Sequence, residues 1–164
     1  MNTWLQMVSA DELAALKKNP PGVNKINKPA AESCSTYYGC SINYFINGDA
    51  YPSGDEEEPL TGCLAGFESV ACDTLENGAF HIVPPALTAA VAAALAKVDL
   101  TTVKQRVHDA DADELADEEV DDFELLSDGD EDDPAEVLAG DIEHLVAFYR
   151  SAATKQRGVV IYTS

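Results

Sequence analysis

Apolar positions recur along this chain in two rhythms, and the changes between them mark its elements. TWLQMV, from Thr3 to Val8, is a short apolar run that predicts a strand. Directly behind it Ser9 and Glu12 form a capping box, Leu13 and Leu16 give one apolar face, and Asn19-Pro20-Pro21-Gly22 stops the helix. The stretch on to Pro29 reads as loop. Between Ser33 and Gly48, Tyr38, Ile42, Phe45 and Ile46 fall at helical spacing ahead of Asn47-Gly48. They predict a helix over a segment whose aromatic content also suits a strand.

GDAYPSGDEEEP is an acidic Gly/Pro-rich loop, and PLTGCLAGFESVAC predicts a helical turn followed by a strand from Phe67 to Cys72. GAFHIVPP reads as a strand stopped by prolines. Pro84 and Pro85 then open a helix that keeps Leu87, Val91, Leu95 and Val98 on one face, and Asp99 caps another through Val103 and Val107. The strongest helix starts with Asp133 as cap, Pro134 as its first residue and Glu136 as capping-box partner. Its stripe is Leu138, Ile142, Leu145, Tyr149 and Ala152; Lys155 and Arg157 suit its negative end, and Gly158 closes it. VVIYT, Val159 to Thr163, is the clearest strand and completes a sheet. The pattern is that of a single compact α/β (α+β) domain over residues 1–164.

Charge adds a feature that periodicity hides. The 164 residues carry 30 acids and 10 bases, a net charge of −20. Residues 109–146 alone hold 18 acids and no lysine or arginine. A salt-adapted surface would spread its acids, so this concentration points to a local interaction surface. Nucleic acid and anionic membranes are excluded as partners by the same charge. Within the block, Leu115, Val120, Phe123, Leu125 and Leu126 are too apolar for a free tail. The segment 109–136 is therefore expected to be docked on the body and partly helical, with its carboxylates in water. The start of the chain has neither a basic leader region nor a long apolar run, and no window reaches the roughly 18 apolar residues of a membrane span, so a cytoplasmic protein is expected.

Motif tests for chemistry are mostly negative. LLSDGDEDDPAE places Asp128, Asp130 and Asp132 at the first, third and fifth positions of a calcium loop. However, Asp133 stands where glycine is required and Ala139 where the bidentate glutamate is required. Cys34, Cys40, Cys63 and Cys72 lack the paired short spacing of zinc sites and are expected to be reduced, inert thiols. His81, His108 and His144 share no motif. There is no nucleophile elbow, phosphate loop, dinucleotide fingerprint or metalloprotease motif. No metal and no cofactor are expected.

The chain also resembles the YfbM-like family, bacterial proteins classed as a domain of unknown function. Four stretches carry the resemblance: WLQMVSADELAALKKNP, INGDAY followed by PLTGCLAG, NGAFHIVPPALTAAVAAAL, and LVAFYRSAATKQRGVVIYTS. The resemblance implies a compact α/β domain with several helices packed on a small mixed sheet, and it implies no reaction. Many members carry a histidine where this chain has Asn43, so no site built on that histidine is implied here.

These observations favour a non-catalytic binding protein, an immunity protein whose acidic surface covers the working cleft of a basic toxin. Asp121, Asp122, Glu124, Asp128, Asp130, Glu131 and Asp132, with Asp55, Glu56 and Glu57, would meet the partner's lysines and arginines. Phe123 and Tyr51 would be the apolar anchors. One alternative is a small-ligand binder or enzyme with a pocket near Asn43, Tyr44 and PLTGCLAG. Another is a DNA mimic whose carboxylates imitate phosphates.

Overall fold

The computed structural model describes residues 2–127 and 133–164. Thr3–Val8 is strand β1, and its alternation sends Leu5 and Met7 into one core and Val8 into another. With β2 (Ser33–Thr36), β3 (Glu68–Ala71), β4 (Ala79–Val83) and β5 (Gly158–Thr163) it forms a five-stranded sheet of order β2-β1-β5-β4-β3. All four pairings are antiparallel, which corrects the expected mixed sheet. The helices between β4 and β5 return the chain to the end at which β4 finished, Val83 facing Val159, so β5 runs back beside it.

One face of the sheet, carrying Val8, Phe80, Ile82 and Val160, packs on Leu13 and Leu16 of α1 (Ala10–Lys18), Val23 and Leu75. The capping box of α1 forms as predicted: the Glu12 amide donates to Ser9 Oγ at 3.2 Å, and the Ser9 amide to Glu12 Oε2 at 2.7 Å. Residues 20–25, expected as loop, form a 3-10 helix instead. The other face, with Leu5, Met7, Val83, Val159 and Ile161, is covered by α2 (Gly39–Asn47), α3 (Gly62–Ala65), α4 (Pro85–Leu95) and α8 (Pro134–Thr154). α5 (Leu100–Asp109), α6 (Ala112–Asp117) and α7 (Phe123–Ser127) pack outside them. Among the described residues, no single helix is long and apolar enough to cross a membrane.

The segment expected as one helix from Ser33 to Gly48 divides. Ser33–Thr36 pairs with β1, Cys34 facing Leu5, and only Gly39–Asn47 is helical. The sheet edge captures residues whose own preference was undecided. α8 buries the predicted stripe, and its Tyr149 hydroxyl donates to the Cys63 carbonyl at 2.7 Å, satisfying the one polar atom of that buried ring. Asp133 caps it through the Ala135 amide at 2.9 Å, whereas Glu136 pairs with Lys104 at 2.7 Å instead of closing a capping box. Gly158 is the first residue of β5. A Cβ there would lie 3.0 Å from the Val83 carbonyl oxygen, so it serves close strand approach, and Gln156 takes the positive φ after the helix.

Candidate functional site

The acidic segment is held to the body by apolar side chains and by one carboxylate. Leu115, Val120 and Leu126 are buried in the main core, and the Phe123 ring packs on Phe45 with centroids 5.9 Å apart. Asp111 caps α6 by accepting from the amides of Asp113 at 2.9 Å and Glu114 at 3.2 Å. Asp122 does the same for a distant helix. α2 has no side-chain cap of its own. The buried Asp122 carboxylate supplies one, accepting from the amides of Cys40 and Ser41, each at 2.8 Å, and from the Ser41 hydroxyl at 2.5 Å. Three donors and the positive end of α2 balance a charge that burial alone would penalise.

This docking completes the wall of a groove of about 760 Å³, within the usual range of ligand pockets. Its floor is the end of the sheet that the helices leave uncovered. Thr3 and Thr163 pair there, and His81 stands between Ile161 and Ser69 on the same face. The walls come from Gly39, Cys40 and Asn43 of α2, the Ala50–Gly54 loop, the Leu64–Phe67 turn, and Asp121 with Asp122. The Ala50–Gly54 loop lies directly on the turn: a Cβ on Gly54 would fall 1.7 Å from the Gly66 carbonyl oxygen. Gly66 itself has φ +68° and sits against His81. Only glycines allow so close an approach.

The polar groups around the groove form a consistent set. Tyr51 is exposed, and its hydroxyl donates to Asp121 Oδ2 at 3.1 Å. A hydrogen bond with the Cys40 thiol, then burial, then Asp121 hold that hydroxyl well above the usual tyrosine range. Burial chiefly raises the Cys40 thiol, with Asp122 and Asp121 adding to the effect, and burial lowers His81. Cys40 and His81 thus share a wall and a floor, but both shifts move them away from a thiolate and imidazolium, and no hydrogen bond joins them. Outside the groove, desolvation pushes the buried Cys63 thiol up to about 12 and the half-buried Cys34 thiol up to about 11. Three carboxylates, Glu68, Asp121 and Asp122, line the groove with no lysine or arginine among the lining residues. Glu68 is paired with Lys17 and Asp122 with α2, which leaves Asp121 as the carboxylate whose charge no cation balances. Among the described residues, no three His, Cys, Asp or Glu side chains are placed to hold a metal ion.

The sequence matches, over residues 1–162, the family described as a domain of unknown function (DUF1877). The chain belongs to the DUF1877 family. The crystal structure of YfbM from Escherichia coli, a protein of unknown function, is similar to this DUF1877 chain with a TM-score of 0.67, covering 98% of each chain at 11% identity. At that identity the likeness concerns the fold. A comparison with curated proteins finds no match.

Against this frame the predicted contact residues separate. The DUF1877 fold leaves Tyr51, Asp121 and Glu124 exposed, and Asp55, Glu56 and Glu57 exposed in the neighbouring bend, where Asp55 Oδ1 accepts from the Glu57 amide. Asp122 is corrected: it is buried, and its oxygens are taken by α2. Phe123 is half-buried, with its ring packed on Phe45. Asp128, Asp130, Glu131 and Asp132 lie outside the described residues. Asn43 and the Leu64–Gly66 part of PLTGCLAG do line the groove, whereas Tyr44 packs edge-on against Phe45. Sequence reasoning missed Tyr37, Cys40, His81, Thr3 and Thr163 as lining residues. His81 carried the one available signal, a polar side chain on the core-facing rhythm of its strand.

Proposed function

We propose that this DUF1877 protein is a non-catalytic binding protein that captures a basic protein, in the manner of an immunity protein that covers the working cleft of a cognate toxin. One observation carries the reading. From Asp109 to Asp122 no carboxylate is in an ion pair, yet the segment is fixed on the body by Leu115, Val120 and the Asp122 cap. A preorganised face of like charge costs self-repulsion in the free protein and is relieved by a partner of opposite sign. Charge steering would speed the encounter. Tyr51, exposed beside Asp121, supplies the kind of aromatic contact on which interface energy concentrates.

Co-expression with the product of the neighbouring gene tests the reading. Protection from toxicity and a stoichiometric complex are expected, both weakened when Asp113, Glu114, Asp117 and Glu118 are replaced together by Asn or Gln. Absence of both complex and protection rejects it. The groove favours a second reading, a small-ligand-binding protein, and a ligand retained through purification that shifts the His81 ring resonances would favour that one.

A further inference from the structure

We propose that the groove receives an arginine side chain from an extended basic segment of the protein partner, the guanidinium lying on the Tyr51 ring and pairing with Asp121. The inference rests on the reading of this protein as a binder of a basic protein and names where one contact of that binding falls. Tyr37 and Tyr51 are the exposed large apolar side chains among the described residues, 59% and 56% accessible, and both line this one groove. The Tyr51 hydroxyl lies 3.1 Å from Asp121, so an aromatic face and an unbalanced carboxylate are within the span of one planar cation. Guanidinium matches both at once, since it stacks on aromatic rings and donates two parallel bonds to a carboxylate.

The remaining lining agrees with a cation and argues against an anion. It includes no lysine or arginine, and the Cys40 and Ser41 amides in the first turn of α2 are already occupied by Asp122. The volume of about 760 Å³ exceeds one side chain and accommodates the residues flanking it, which is why the ligand is a segment of chain.

The test is an NMR titration of the whole protein with acetyl-Gly-Arg-Gly-amide and with the same peptide carrying citrulline, which keeps the shape and removes the charge. The arginine peptide is expected to give saturable shifts at Tyr37, Gly39, Tyr51 and Asp121, and the citrulline peptide none. Asp121→Asn should weaken binding about tenfold, the range of a partly desolvated charge pair. Tyr51→Leu should weaken it about threefold and Tyr51→Phe less, since phenylalanine keeps the ring face. Asp121 is exposed, so its variant tests the proposal even if a Tyr51 variant misfolds. Equal binding of the citrulline peptide overturns the inference. So do arginine-peptide shifts that never saturate or that Asp121→Asn leaves unchanged. Capture of the full partner that depends on the acids of α6 but not on Asp121 would also overturn it, while leaving the proposed function standing.

Discussion

Asp122 is the residue at which the acidic segment and the groove meet. Its carboxylate serves three donors on α2, so Asp122→Ala leaves buried amides unsatisfied and should lower stability by roughly 2 kcal/mol in urea unfolding, whereas Asp121→Ala next to it should change little. His81 makes a prediction of another kind. Burial lowers it below its ordinary 6.5, so the unfolded chain takes up the proton first, and stability should begin to fall as pH drops through 6.5. His81→Gln should flatten that part of a stability profile measured by urea midpoints. The sequence revealed these two residues very unequally. The caps by Ser9 and Asp133 act on amides two or three positions away and could be read directly. Asp122 acts on amides 81 and 82 positions away, and nothing local distinguishes it from Asp121.

At the scale of elements, the amphipathic helices were legible because one periodic face decides where each lies. Leu138, Ile142, Leu145 and Tyr149 are all buried as their spacing requires. Ser33–Thr36 was not, because its strand exists only through pairing with β1. The groove was hidden for a related reason. Its floor joins residues near both ends of the chain to the middle, and its wall depends on Gly54 meeting Gly66. Gly54→Ala should therefore act on the wall as a whole: with no room for the added Cβ, the loop must lift, shifting the amide resonances of Tyr51 and His81 together. The docking of the acidic segment is held by core side chains. Leu115→Ala should cost about 2–5 kcal/mol and open residues 109–124 to limited proteolysis before the sheet unfolds.

For the whole molecule, charge and fold pull in opposite directions. A net charge of −20 with 18 acids in one segment opposes compaction, so at neutral pH the urea midpoint should rise with sodium chloride and level off near 1 M, where the screening length is about 3 Å. Acid reverses the benefit of the caps. Glu12, paired with Lys28, and Asp133, bonded to His108, are both held below their ordinary 4.5 and 3.8. Their contribution is complete above those values and is lost as pH falls beneath them. The sheet itself has a practical consequence. Asn2 and Ser164 exchange backbone hydrogen bonds at 3.1 Å in both directions, and their neighbours Thr3 and Thr163 line the groove. Any tag or fusion appended at either end thus emerges beside the mouth and competes with whatever enters it.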